Sequence, residues 1–191
     1  SESMSKSKKN TIDPEKIINN YGADAVRLFI LSDSPPERDI QWSDEGISAS
    51  NKFINKLWNL NLKILEKIKL ENDEDPDNLL EKNTNQFLDD VSNNLLNFRY
   101  NKIIANFHQI YNDIFKLIDK NYSKKTLIEN YKKILIAMNP VLPHFSNECL
   151  KLIDKNLEHI EWPKINKKLI EEQILNYVIQ VNGKKRGLVQ A

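Results

Sequence analysis

Apolar residues recur at helical spacing through most of the chain. From Ser43 to about residue 68 they follow one another at intervals of three, four and seven, which predicts one long helix with a single buried stripe. The stripe consists of Ile47, Ile54, Leu57, Trp58, Ile64, Leu65 and Ile68. The polar, acidic segment 71–85 carries Pro76 and predicts the loop that ends this helix.

Three further helices are predicted after this loop. The first covers residues 85–120, and its apolar positions alternate at intervals of four and three, as in the seam of a helix packed antiparallel in a bundle. These positions are Leu96, Tyr100, Ile103, Phe107, Ile110, Ile114 and Leu117. The next helix begins near Ser123 and breaks at Pro140, and the last spans about 143–155. Because their outer faces are polar, the four helices are expected to bury their stripes together in a bundle.

The N-terminal 42 residues have a different pattern. Asp13, followed by a proline, predicts an N-capped short helix that ends at Gly22, and Asp24 is predicted to cap a second helix to about residue 31. Two adjacent prolines in segment 32–42 then predict an ordered connector. This part is expected to be the end of a larger domain.

The C-terminus changes pattern again. Residues 175–181 are rich in β-forming side chains, and Asn182-Gly183 suits the two positive-φ positions of a tight turn, with 184–191 returning as the partner strand. A two-stranded hairpin is marginal by itself, so we expect a truncated hairpin that begins a further domain. The predicted domains are therefore 1–42, 43–165 and 166–191.

Composition excludes several classes of protein. The 191 residues carry 28 basic and 27 acidic side chains, so the net charge of +1 says nothing about an RNA partner. The single cysteine, Cys149, excludes an intrachain disulfide, and the three histidines stand at no metal-ligand spacing, so no metal site is expected. We find no apolar run near 18 residues and no signal peptide, which predicts a cytoplasmic protein without a membrane span.

Candidate chemistry lies just before the first helix. Residues 4–10 read MSKSKKN, which places flexible hydroxyl and ammonium groups on a loop ahead of a capped helix. Ammonium groups on a mobile loop can stabilise negative charge that develops on phosphates. The segment is therefore a candidate phosphate-handling loop.

Several segments in this order are similar to one known family. They are MSKSKKN with YGADAVRLFI at 21–30, SDSPPERDIQW at 32–42, NKFINKLWNL at 51–60, MNPVLPHFSNECL at 138–150 and VIQVNGKKRG at 178–187. Their order and spacing resemble the class I aminoacyl-tRNA synthetases, and the leucine-specific branch in particular. The resemblance covers nearly the whole chain. It implies a mainly α fold: a helix bundle of the anticodon-binding type, preceded by a two-helix connector and followed by a truncated β-hairpin.

The resemblance also implies a function. In a complete enzyme, leucine is activated with ATP and Mg²⁺ and transferred to tRNA(Leu), and this part supplies the "KMSKS" loop and tRNA binding. It assigns ATP binding to Met4, Ser5, Lys6, Ser7 and Lys9. By the same resemblance, Lys6 would be the catalytic lysine that contacts the leaving pyrophosphate, whereas Ser3 stands where the family pattern begins with lysine.

Basic side chains supply the candidate tRNA contacts. Their contacts with phosphates would be salt-dependent and largely independent of sequence. The candidates are Arg99, Lys102, Lys132, Lys184, Lys185 and Arg186. The chain is expected to be monomeric.

Two other functions stay open. One is a free-standing helical RNA-binding module without catalysis, and the other is a part of a related valine, isoleucine or methionine enzyme, which SDSPPERDIQW disfavours. The 191 residues show none of the glycine-rich or histidine signatures of a nucleotide-binding fold. We therefore expect this chain alone to be inactive and to bind no ATP tightly.

Overall fold

A computed structural model of the chain describes residues 3–5, 7–33, 38–70, 72–155, 160–170, 176–181 and 184–190. Its helices are α1 (Pro14–Tyr21), α2 (Ala23–Asp33), α3 (Asp44–Ile68), α4 (Leu79–Leu96), α5 (Tyr100–Leu117), α6 (Lys124–Met138) and α7 (Pro143–Ile153). A 3₁₀ turn (Lys167–Leu169) and the strands β1 (Asn176–Val181) and β2 (Lys184–Gln190) follow. The expectation of a mainly helical chain is confirmed.

The main core lies between α3, α4, α5, α6 and α7, and α2 contributes to it. Of the predicted seam, Ile103 and Phe107 are fully buried, Ile110 is 2 % exposed and Ile114 is 4 % exposed. Phe107 contacts the ring of Phe87 on α4, with their centroids 6.0 Å apart. The helical periodicity therefore identified the buried face of this segment correctly.

The single helix predicted over 85–120 is wrong, because α4 and α5 are separate. The N–H of Arg99 donates to the Asn94 carbonyl (2.8 Å) and that of Phe98 to the Leu95 carbonyl (3.1 Å), while Phe98 has a φ of 53°. This is the Schellman pattern that ends a helix with one left-handed residue. Since the chain turns here, Leu96 is 79 % exposed instead of lying in the seam.

This break also changes the composition of the bundle. After the turn, α5 runs back along α4, and the Asn94 amide donates to the Asn106 side chain across the pair (2.9 Å). In the described part of the chain, five helices from α3 to α7 thus replace the four predicted. The apolar positions continue at the same helical spacing across the break. Their spacing alone therefore gave no sign that the helix is interrupted.

Helices α1 and α2 pack against the first half of α3. Ala25, Phe29 and Ile47 form a second, smaller buried cluster there. Gly46 permits the close approach, since a Cβ at this position would stand 2.5 Å from the Phe29 ring. Asp13 caps α1 and Gly22 ends it with a φ of 85°, as predicted.

Asp24 was predicted to cap α2, and this prediction is wrong. Helix α2 begins at Ala23, so Asp24 lies in its first turn. Its buried carboxylate accepts hydrogen bonds from the backbone N–H of Phe145 (2.7 Å) and, more weakly, of His144 (3.4 Å). These are N–H groups of the first turn of α7, which have no partner within their own helix. Asp24 therefore caps a helix that lies 120 residues further along the chain.

The acidic segment before α4 is ordered by polar contacts with the α5–α6 connection. Asp75 accepts from the Ser123 N–H (2.7 Å), while Asp77 accepts from the Lys120 ammonium (2.6 Å) and the Tyr122 hydroxyl (2.5 Å). Hydrogen bonds from Lys120 and Tyr122 lower the pKa of Asp77 to about 2. These contacts hold the acidic segment in place against the α5–α6 connection.

Strands β1 and β2 pair in antiparallel register from Asn176 opposite Gln190 to Val181 opposite Lys184, with an irregularity after Ile179. Residues 182 and 183, where the tight turn is predicted, lie outside the described residues. The start of a further domain and the boundaries at 42 and 165 stay predictions. Within the described ranges, the helices lack the combination of length and apolar character needed to cross a membrane.

Candidate functional site

The candidate phosphate loop folds around Ser5 and Asn10. The Asn10 side-chain oxygen accepts from the Ser5 N–H (2.8 Å), and the Asn10 amide donates to the Ser3 carbonyl (3.4 Å). A turn forms between them, because the Lys8 N–H donates to the Ser5 carbonyl (3.2 Å). The hydroxyls of Ser5 and Ser7 lie 3.1 Å apart. Asn10 therefore closes the loop at its base.

The loop leaves its outer side chains open to solvent. Met4 is 49 % exposed, and Ser7 and Lys9 are also exposed. Lys9 has a φ of 51°, which places it in the left-handed region at the end of the turn. Lys6, the predicted catalytic lysine, lies outside the described residues. Its neighbours form a tight turn whose exposed surface includes an ammonium group.

Asn10 was missed in the sequence reasoning. Its only signal was its position at the end of the segment 4–10, where an asparagine is common in any turn. Its two hydrogen bonds reach back five and seven residues, to Ser5 and Ser3. This role is seen only in the folded loop.

The helix pair that follows the loop is fastened to the turn between α6 and α7. Arg27 on α2 donates from Nε to the Val141 carbonyl (2.9 Å) and from Nη2 to the Pro140 carbonyl (2.7 Å), just past the C-terminus of α6. The cation thus lies where α6 ends, and the Asp24 anion lies where α7 begins, so both charges complement a helix dipole. Through Arg27 and Asp24, helix α2 is therefore bound to the α6–α7 turn.

The six candidate tRNA contacts do not form one group. Arg99 and Lys102 are exposed at the start of α5, three residues apart and hence on one helix face. Lys132 pairs with Asp154, with 2.7 Å between its ammonium and the carboxylate, so it has a partner within the chain. Lys184, Lys185 and Arg186 belong to β2, but their side chains lie outside the description.

The potentially reactive side chains of His108 and Cys149 take part in packing. The His108 ring stacks on Phe53 with centroids 3.7 Å apart, and burial, aided by Lys56, lowers its pKa. Burial raises the pKa of the Cys149 thiol to about 12, which leaves it protonated near neutral pH. In the part of the chain that the structure describes, no three His, Cys, Asp or Glu side chains are grouped as metal ligands.

Comparison with known families gives two matches. The family model for the anticodon-binding domain of tRNA ligases matches residues 77–190. The model for class I tRNA synthetases of the isoleucine, leucine, methionine and valine group matches residues 2–43. The second match contains the candidate loop with α1 and α2, and the first contains α4 to α7.

Similar curated proteins carry the name leucine–tRNA ligase. That of Orientia tsutsugamushi is 41 % identical over 98 % of this chain and 22 % of the relative. That of Prochlorococcus marinus strain MIT 9215 is 38 % identical over 99 % of this chain and 22 % of the relative. That of Wolbachia pipientis subsp. Culex pipiens is 36 % identical over 99 % of this chain and 24 % of the relative. The chain thus spans about a quarter or less of the length of these relatives.

A solved structure shows the same fold. It is the ternary complex of the Agrobacterium radiobacter K84 agnB2 LeuRS with tRNA and LeuAMS, 22 % identical, with a TM-score of 0.79 over 98 % of this chain and 25 % of that chain. The helical arrangement is therefore shared along almost the whole sequence. Since the anticodon-binding model also matches more than half of the residues, the chain belongs to the anticodon-binding domain family of class I tRNA ligases.

Proposed function

We propose that this chain acts in a leucine–tRNA ligase that activates leucine with Mg²⁺–ATP and transfers it to tRNA(Leu). The chain supplies the loop that stabilises pyrophosphate and a helical surface that binds tRNA. The observation that carries this proposal is the order of loop, helix pair and bundle in a chain that matches leucine–tRNA ligases along 98 % of its length. Cytoplasmic location and a monomeric state belong to the same proposal.

The loop's role follows from the charge that develops during activation. The leucine carboxylate attacks the α-phosphate of ATP, and negative charge grows on the leaving pyrophosphate. An ammonium group held nearby lowers the energy of that state more than it lowers the energy of the bound substrates. Lys6 supplies this charge, and the Ser5–Asn10 contacts fix the base from which it reaches the phosphates.

The remaining ATP-binding candidates have supporting roles in this proposal. Met4 anchors the loop, the hydroxyls of Ser5 and Ser7 hydrogen-bond within it or with phosphate, and Lys9 adds positive charge. The exposure of Met4, Ser7 and Lys9 leaves them available to a nucleotide-binding domain and its substrate.

The helix pair α1–α2 is proposed to fix the position of the loop relative to the tRNA-binding helices. It forms a two-helix connector within domain 1–42, joined to the tRNA-binding helices of domain 43–165, while 166–191 begins a further domain. The contacts of Asp24 and Arg27 with the α6–α7 turn support a stiff connection. A tRNA held by the bundle would then have a defined position relative to the loop.

The proposed tRNA contacts differ in their support. Arg99 and Lys102 are exposed on one face of α5, whereas Lys132 would have to leave Asp154 to reach a phosphate. Lys184, Lys185 and Arg186 follow one another along the backbone of β2.

The test is pyrophosphate exchange in the complete enzyme, meaning this chain joined to the catalytic core that its reading frame encodes. Lys6→Ala should slow leucine-dependent exchange by about two to three orders of magnitude, because one preorganised charge is lost. Lys124→Ala, an exposed lysine on α6, is the control and should leave exchange unchanged. The chain without the core should give no exchange.

Three results would contradict the proposal. Near-normal exchange by the Lys6→Ala enzyme would remove Lys6 from the chemistry. Exchange that depends on valine, isoleucine or methionine instead of leucine would assign the chain to a related enzyme. A joined protein that folds and binds tRNA, yet activates no amino acid, would favour a binding module without catalysis.

A further inference from the structure

The turn between α4 and α5 presents apolar side chains to solvent. Leu96 is 79 % exposed and Phe98 is 65 % exposed, and they are the most exposed large apolar side chains among the described residues. Exposed apolar residues scattered singly need no explanation, but Phe98 is followed in the sequence by two exposed cations, Arg99 and Lys102. We call the group Phe98, Arg99 and Lys102 the turn surface.

The backbone at Phe98 is unfavourable for a residue with a side chain. Its φ of 53° places it at the left-handed position that ends α4, where glycine is usual because a Cβ is crowded there. A phenylalanine in this conformation gives the fold no evident benefit, since its ring is mostly exposed. Such outliers often mark a functional position.

The ring of Phe98 is nevertheless supported. It meets Tyr100 edge to face, with centroids 6.3 Å apart and planes at 73°. Tyr100 is half-buried and packs against the main core. Phe98 is therefore supported by a fixed neighbour, while 65 % of its surface remains open to a ligand.

Two exposed cations follow Phe98 in the sequence, at the start of α5. The guanidinium of Arg99 and the ammonium of Lys102 are exposed, and the ion pairs of the described residues, Lys120 with Asp77 and Lys132 with Asp154, involve neither. An exposed aromatic ring beside cations is the arrangement that binds single-stranded nucleic acid, where a base stacks on the ring and phosphates meet the charges.

From this geometry we infer that the turn surface binds an unpaired base of the tRNA, which stacks on Phe98 while the flanking phosphates contact Arg99 and Lys102. The inference rests on the proposed function, because it names the contact through which these helices hold tRNA. Positive charge favours RNA over an apolar protein segment as the occupant. Stacking also explains why a bulky ring stands where glycine would relieve the backbone.

The test separates binding from folding by substituting Phe98. In the 191-residue chain, Phe98→Gly should unfold at the same or a higher temperature, because glycine accepts the left-handed conformation. Its affinity for a labelled tRNA(Leu) transcript should fall about tenfold or more, measured by fluorescence anisotropy. Phe98→Tyr should keep the affinity, and Leu96→Ala, which removes an exposed side chain without a ring, is the matched control.

Charge and RNA structure provide two further readouts. Replacing Arg99 and Lys102 by alanine should reduce the slope of log affinity against log salt by about two, whereas Phe98→Gly should leave the slope unchanged. A blunt RNA duplex, which offers no unpaired base, should bind the Phe98→Gly and unsubstituted chains equally.

Normal tRNA affinity of a folded Phe98→Gly chain would overturn the stacking inference and leave tRNA binding intact. Self-association of the unsubstituted chain that Phe98→Gly abolishes, seen by sedimentation without RNA, would assign the surface to a second copy and overturn it too. An unsubstituted chain with no salt-dependent affinity for tRNA would instead contradict the proposed tRNA-binding function.

Discussion

Asp24→Ala tests the connection between the helix pair and the bundle. Asp24 is 6 % exposed, and Phe145, whose N–H donates to its carboxylate (2.7 Å), is 7 % exposed. The substitution leaves this buried N–H without its partner and removes a negative charge from the N-terminus of α7. We expect the free energy of unfolding to fall.

The magnitude follows from two contributions. Losing a hydrogen bond to a charged group costs about 1.5–3 kcal/mol. Losing the charge at a helix N-terminus costs about 0.3–1 kcal/mol more. The bond to the His144 N–H, at 3.4 Å, adds little. We therefore expect Asp24→Ala to destabilise the chain by about 2–4 kcal/mol, and Asp24→Asn, which keeps an acceptor, by about half as much.

The assay is urea unfolding followed by circular dichroism. Asp13→Ala is the matched control, because Asp13 also caps a helix through its carboxylate but is exposed and accepts a single bond, from the Glu15 N–H (3.1 Å). Since α1 contains no buried residue, this control should cost about 1 kcal/mol or less. Equal, small losses for the two variants would refute the argument that Asp24 fastens α2 to α7.

The remaining predictions concern the core and the acidic segment. Phe107→Ala should lower the free energy of unfolding by about 3–5 kcal/mol, because the ring is fully buried, whereas Leu96→Ala should change it by less than about 0.5 kcal/mol. Equal effects in chemical unfolding would place the seam on the wrong face. Because the pKa of Asp77 is lowered from 3.8 to about 2, its stabilising effect should be complete above pH 3.8 and disappear as the pH falls toward 2. Asp77→Asn should therefore lower the melting temperature at pH 7 but barely at pH 2, and an equal decrease at both pH values would contradict the role of its charge.

Several features of this chain were determined by sequence alone. Asp13, Ser43 and Ser123 each cap the helix that was predicted to begin after them, and each accepts a bond from a backbone N–H two or three residues ahead. Such a cap works within one helical turn, so the necessary information is local. The candidate residues of the loop, which stay a prediction, rest on similarly local information, because their order along the chain carries the family resemblance.

The division of α4 from α5 was decided by the folded chain. Apolar spacing continues in phase from Leu96 to Tyr100, and the left-handed residue is Phe98, with no glycine to mark a helix end. Nothing within a few residues predicted the turn. Only the packing of α5 back along α4 made the interruption favourable and exposed Leu96.

Asp24 shows most directly what only tertiary structure decides. In the sequence it had the composition and position of a local cap, yet its partners are N–H groups 120 and 121 residues away. Sequence indicates which side chains need hydrogen-bond partners, because burial without a partner is costly. Which group becomes the partner depends on long-range packing, and here that packing fastened α2 to the helical bundle.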